Sequence, residues 1–165
     1  MRVIGIDPGT AITGWGIIEG DGSDLALVAG GVITTLAGTP LPQRLQTIYH
    51  ELTAIIKQWQ PETAALEELF FSKNAKTALA VGHGRGAAML ALANANLSIA
   101  EYKPLEVKQA LTGHGGADKR QMQQMVKLLL ALDDIPRPDD AADALAVAIC
   151  HFHSARLRLL EGSMK

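Results

Sequence analysis

Asp139, Asp140 and Asp143 put three carboxylates into five residues, at the head of the apolar stretch DDAADALAVAICHF. Like charges repel at such spacing, so the crowding calls for a partner. Asp140 and Asp143 stand three apart and share a helix face, while Asp139 is expected to point elsewhere. Two further sites of acid complete the set. Asp7 closes RVIGID just before the turn PGT, and Glu67 and Glu68 sit near the end of the apolar run TAALEEL. Each acid has a plain structural reading. Asp140 with Asp143 resembles a helix cap followed by a dipole-stabilised acid. Asp7 could be a turn former. A glutamate in an apolar strand is harder to dismiss, because a buried carboxylate needs a partner.

Taken together, the acids form an oxygen-only donor set without Cys or His, which suits a hard cation, Mg²⁺ or Mn²⁺. Two such ions roughly 3.5–4 Å apart can activate a water and stabilise the leaving oxygen of a phosphodiester. Alternation along a strand sends Glu67 and Glu68 to opposite faces, so only one can join Asp7.

The positioning elements follow from patterning. Residues 2–7, 14–20 and 25–35 are β-branched runs, with hairpin chemistry in GDGSD between the second and third. Leu45, Ile48, Leu52, Ile55, Ile56 and Trp59 recur at helical spacing over 41–59. A buried strand is expected over 63–69, a helix over 72–96, a short strand over 97–103, helices over 104–112 and 118–132, and a last helix from Asp139 to about Leu160. Gly82, Gly84 and Gly86 each cost a helix roughly 1 kcal/mol relative to Ala, which points to close backbone approach by another element. Three strands followed by strand–helix alternation indicate an α/β mixed sheet.

The 165 residues suit one domain with a substantial core. With 48% hydrophobic and 19% charged residues, the chain is globular rather than disordered. MRVIGID reads straight into a strand without a signal-peptide layout, and no apolar run reaches spanning length, so a cytoplasmic protein with no membrane partner is expected. The single cysteine, Cys150, permits no internal disulfide. The net charge of −2 conceals a division. Residues 1–72 carry 3 Lys/Arg against 8 Asp/Glu, 73–137 carry 9 against 5, and 138–165 carry 3 against 4. A basic block lies between acidic ones, and two divalent cations on four acids would bring the total to +2. A phosphate-rich ligand is therefore compatible with the composition. Candidate phosphate contacts in and around the block are Lys73, Asn74, Lys76, Arg85, Lys108, Lys119 and Arg120. Phe70 and Phe71 precede it, and one of them could stack on a base.

IGIDPGTAITGWG, LEELFFSKNA, VKQALTGHGGADKRQM and DDAADALAVAICH occur in an order and at spacings that resemble the RuvC family of Holliday-junction resolvases. The resemblance runs to about residue 155, leaving the last ten residues as an expected flexible tail on a single domain, 1–165. It implies a ribonuclease H-like fold with a five-stranded mixed sheet flanked by helices. It implies a homodimeric, Mg²⁺-dependent endodeoxyribonuclease, with two Mg²⁺ per site and Mn²⁺ as a substitute. Such a dimer nicks a four-way DNA junction symmetrically in recombination and repair, leaving 5′-phosphate and 3′-hydroxyl ends. The family's metal-binding acids fall on Asp7, Glu67, Asp140 and Asp143. Its DNA-contacting lysines fall on Lys108 and Lys119, and its junction-probing aromatic falls on Phe70. The glycine-rich helix falls where the family makes dimer contacts, and the RuvA–RuvB branch-migration complex is the implied partner. His114, in TGHGG, is a further candidate to assist from its loop. Three rivals stand beside this reading: a YqgF-like rRNA-processing nuclease of the same fold, a non-catalytic DNA-binding scaffold, and the actin and Hsp70-like ATPases, whose strand turn GIDPGT resembles but which need far more than 165 residues.

Overall fold

The computed structural model describes residues 1–21, 24–68 and 75–162, the side chains of 75–77 and 156–162 excepted. The elements run β1 (Arg2–Asp7), β2 (Ile12–Asp21), β3 (Asp24–Thr34), α1 (Leu41–Trp59), β4 (Thr63–Glu67), α2 (Ala75–Asn94), β5 (Ser98–Tyr102), α3 (Pro104–Thr112), α4 (Lys119–Leu129) and α5 (Asp139–Gly162). The five strands form one sheet in the order β3-β2-β1-β4-β5. β1, β2 and β3 are antiparallel neighbours, while β4 runs parallel to both β1 and β5. This is the mixed sheet expected from the strand–helix order.

Alternation along the strands builds two cores. Ile4, Ile6, Ala64 and Leu66 face one way, packing with Ile48 and Leu52 of α1 and with Ala88 and Leu92 of α2. Val3 and Ala65 face the other way, toward Val107 of α3, Val126 of α4, and Leu145 and Ile149 of α5. Leu145 and Ile149 are almost wholly buried. Burying a side chain of that size contributes on the order of 2 kcal/mol, so α5 is anchored by its apolar face rather than by its acidic start.

Helix α5 lies unusually close to the sheet. A Cβ on Gly5 would stand 2.1 Å from the Ala144 carbonyl oxygen, and one on Gly14 would stand 2.0 Å from that of Asp140. Only glycine permits this approach. His151 of α5 then reaches across the sheet, its Nδ1 2.9 Å from the Tyr102 hydroxyl and its Nε2 3.0 Å from Thr63 Oγ1. On the opposite face, Gly84 of α2 packs onto the turn after β1, where a Cβ would come within 2.9 Å of the Gly9 backbone. Thr10 Oγ1 donates to the Ala80 carbonyl in the same contact. The close approach expected of the α2 glycines thus occurs at Gly84. Gly86 faces open space.

Several boundaries differ from the sequence pattern. β2 extends to Ile12–Asp21 because it is paired on both sides. β4 stops at Glu67, where its pairing with β5 ends. α4 stops at Leu129 because Ala131 turns left-handed at φ 49°. Among the described residues, no helix is long and apolar enough to cross a membrane.

Candidate active site

Asp7 is the last residue of β1, and Glu67 is the last residue of the neighbouring parallel strand β4. Both belong to the alternation that faces α5, with Val3 and Gly5 in one strand and Ala65 in the other. Of the two adjacent glutamates it is therefore Glu67 that joins Asp7. Glu68 lies one step further, its backbone N–H donating to the Tyr102 carbonyl at 2.7 Å. The carboxyl ends of parallel strands are where open α/β sheets build sites. The close seat of α5 on Gly14, the register partner of Asp7, brings Asp140 and Asp143 to the same place.

The electrostatics record the convergence. Burial first, and then the charges of Glu67, Asp143 and Asp140, raise the Asp7 pKa to about 7, against a smaller opposing pull from Lys119. Burial and the Asp143 charge push Glu67 upward, opposed by Lys108. Burial also raises Asp143, with Lys119 pulling the other way and Asp140 and Asp139 adding repulsion. Glu67, Asp143, Lys108 and Lys119 line one hollow of about 220 Å³ together with Pro104, Val107, Met122 and Ala146. Among the described residues, no three His, Cys, Asp or Glu side chains are drawn closely enough to hold an ion as they stand. The donor chemistry still fits a hard cation. Burial of the carboxylates, and then their mutual repulsion, lift the Asp7 pKa to about 7, and an added positive charge would relieve that cost.

Lys119 occupies the mouth of this cluster. Its Nζ stands 3.2 Å from Asp139 Oδ2 and 3.3 Å from Asp143 Oδ2. Asp139 therefore does not point away from the site, contrary to expectation. It is four residues before Asp143, a spacing that also shares a helix face. The cap reading of Asp140 is corrected as well. α5 begins at Asp139, and the N–H groups of Ala141 and Ala142 bond the Pro138 carbonyl, so Asp140 lies inside the first turn. Both first-turn acids gain from the helix dipole there.

The remaining candidates fall in different places. Arg85 is largely buried, its Nη1 donating to the Glu67 carbonyl at 3.0 Å and its Nη2 paired with Glu101. It fastens α2 to the ends of β4 and β5. Arg120 and His114 line a separate hollow with Thr112, Asp118, Gln121, Gln124 and Met125. The His114 loop is held by Thr112, whose hydroxyl donates to the His114 carbonyl at 2.8 Å. Phe70, Phe71, Lys73 and Asn74 lie outside the described residues, as does the side chain of Lys76. Sequence reasoning missed Gln123, whose Nε2 donates to Asp139 Oδ1 at 3.0 Å. The 119/123 and 139/143 spacings, each one helical turn, were the available signal.

Acids at the ends of adjoining strands and on the first two turns of the closing helix, on a sheet of this order, define a ribonuclease H-like fold. Residues 3–151 match the family described as Crossover junction endodeoxyribonuclease RuvC, and the chain belongs to that family. A relative of that description from Chloroflexus aggregans is 62% identical over 94% of each chain. One from Roseiflexus is 58% identical, covering 98% of this chain and 97% of the relative. The structure of Thermus thermophilus RuvC in complex with Holliday junction substrate superposes with a TM-score of 0.92 at 37% identity, covering 95% of this chain and 96% of that one. The expected sheet is thus the family's own, and the YqgF-like and scaffold alternatives are not favoured.

Proposed function

We propose that this chain resolves four-way DNA junctions by paired, metal-dependent phosphodiester hydrolysis, with Asp7, Glu67, Asp140 and Asp143 as its cation ligands. The observation that carries the reading is the convergence of these acids at the ends of β1 and β4 and the start of α5, where burial first, and then the repulsion of Glu67, Asp143 and Asp140, raises the Asp7 pKa to about 7. Such mutual repulsion is costly in a protein that has no use for a cation there. Two Mg²⁺ ions held by the four acids would supply an activated water and neutralise the leaving 3′ oxygen, giving 5′-phosphate and 3′-hydroxyl ends, with Mn²⁺ able to substitute.

The other groups bind and orient the strand. Asp7, which feels the charges of Glu67, Asp143 and Asp140, would be among the residues that hold the cations. Lys108 and Lys119 flank the hollow and present ammonium groups to the phosphate at its mouth. The hollow's apolar wall, from Val107, Met122 and Ala146, limits water around the reacting phosphate. Phe70, with Lys73, Asn74 and Lys76, is proposed to engage the junction, as the family resemblance implies for Phe70, and Arg120 to meet the flanking strand. Symmetric nicking requires two sites, so the working unit is a homodimer. The apolar groove between α1 and α2, where Leu45, Tyr49, Ala87 and Leu90 are exposed or half-buried, supports that assembly. The dimer is read as a single-domain, cytoplasmic enzyme acting with the RuvA–RuvB complex in recombination and repair.

The test is cleavage of a labelled four-way junction, a matched linear duplex and a structured RNA, each with Mg²⁺, Mn²⁺ or EDTA. Paired metal-dependent nicks confined to the junction are expected. Cutting of the RNA alone, or junction binding without cutting in either metal, would overturn the reading.

A further inference from the structure

We propose that Asp139, which is not one of the four acids assigned to the cations, is a positioning residue that holds Lys119 at the site after Asp143 turns to a cation. The inference rests on the resolvase reading. Lys119 Nζ divides its contacts between Asp139 at 3.2 Å and Asp143 at 3.3 Å. Those two partners have different futures. Asp143 lies among the half-buried acids and lines the hollow, so a cation there competes with Lys119 for its oxygens. Asp139 is the more exposed of the two, its side chain about half in solvent, and its other oxygen is already engaged by Gln123 Nε2 at 3.0 Å.

The geometry is a three-member clamp. Lys119 and Gln123 are one turn apart on α4, and both reach Asp139 on the first turn of α5. Gln123 fixes the carboxylate plane and leaves Oδ2 aimed at the ammonium. Burial works against the charge on Lys119, yet the hydrogen bond to Asp139 and the attraction of Asp143 together raise its pKa above the ordinary lysine value. With Asp139 absent, a cation that takes Asp143 leaves Lys119 without its second anchor, and the long side chain swings out. The ammonium is then lost from the point where it would meet the phosphate, although the four acids are untouched.

Two readouts test this. The first is the single-turnover rate of junction cleavage in Mg²⁺ for wild type, Asp139→Ala, Lys119→Ala and the double variant. Asp139→Ala is expected to slow cleavage about five- to tenfold, the scale of one charge-assisted hydrogen bond. It is expected to change nothing further in the Lys119→Ala background. Gln123→Ala, which keeps both charges, should cause a smaller fall in the same direction and serves if Asp139→Ala folds poorly. The second readout needs no cleavage: the side-chain ammonium NMR signal of Lys119 in the DNA-free protein. It should be protected from exchange in wild type with and without Mg²⁺, and lose protection with Mg²⁺ in Asp139→Ala. An equal rate loss in both backgrounds, or an ammonium signal indifferent to Asp139, would overturn the inference. Wild type that cuts no junction would sink the resolvase reading instead, while the ammonium signal would still decide the clamp.

Discussion

A Cβ placed on Gly14 would stand 2.0 Å from the carbonyl oxygen of Asp140. Gly14 is also the register partner of Asp7 across the β1–β2 ladder. One missing side chain therefore sets the distance between the acid on the sheet and the acids on α5. Gly14→Ala must push α5 outward by backbone movement, since the obstructing atom is main chain. The expected cost is about 1–3 kcal/mol in stability, as for other overpacked sites. Cleavage should fall further than that loss of stability accounts for, because the four acids no longer converge. Urea denaturation alongside single-turnover cleavage checks this. A variant as stable and as active as wild type would show that α5 does not depend on the close seat.

The burial of the acids and their mutual repulsion should appear as a pH dependence in the cation-free protein. The Asp7 pKa is raised from 3.8 in its ordinary state to about 7 in the fold. Between those values the folded chain binds more protons than the unfolded chain, so unfolding free energy falls as pH rises. The contribution of Asp7 is full below about pH 4 and gone above about pH 7, and Glu67 and Asp143 are shifted in the same direction. One such group gives a slope of at most about 1.4 kcal/mol per pH unit. In EDTA, Asp7→Asn should match wild type near pH 4 and exceed it at pH 8. Urea titrations at the two pH values measure this, and a wild type equally stable at both would contradict it.

The same repulsion predicts stabilisation by divalent cations. At a hundredfold excess over its Kd, a ligand that binds only the folded state adds about 2.7 kcal/mol. At pH 8, Mg²⁺ should raise the Tm of wild type and leave that of Asp7→Asn nearly unchanged. Thermal scans in Mg²⁺ and in EDTA distinguish the cases. Identical wild-type transitions in both would count against cation binding at these acids.

Salt dependence separates the lysines from Arg85. A residue that neutralises a phosphate contributes roughly one unit to the slope of log K against log salt concentration. Lys108→Ala should flatten that slope by about one unit. Arg85 is instead committed to the Glu67 carbonyl and to Glu101, with its side chain only 11% exposed. Arg85→Ala should therefore keep the wild-type slope and lower stability by about 1–3 kcal/mol, the penalty for stranding a buried acceptor. Junction titrations over a salt series decide the matter, and a flattened slope for Arg85→Ala would place its guanidinium on DNA.

Much of this protein is legible in its sequence because the signals are local. Helix 41–59 and helix 104–112 match their expected bounds to the residue, the first on its apolar spacing, and each has a proline in its first two positions. Asp7, Glu67 or Glu68, Asp140 and Asp143 stand out because carboxylates next to apolar runs are expensive wherever the chain takes them. Patterning alone leaves Glu67 and Glu68 open and the family resemblance points to Glu67; the β1–β4 register supplies the physical reason, since it assigns each residue its face. Asp139 shows the same limit from the other side. Its one-turn spacing from Asp143 was visible, but the ammonium it would meet lies twenty residues earlier on α4, and only the packing of α4 against α5 brings the two together. The basic block makes Arg85 a candidate phosphate contact, and tertiary packing makes it a fastening between α2 and two strand ends. Sequence determined which residues were costly enough to need a purpose, because that cost is a property of the side chain and its near neighbours. Tertiary structure decided which of them share one, because that depends on distances between segments that no local pattern encodes.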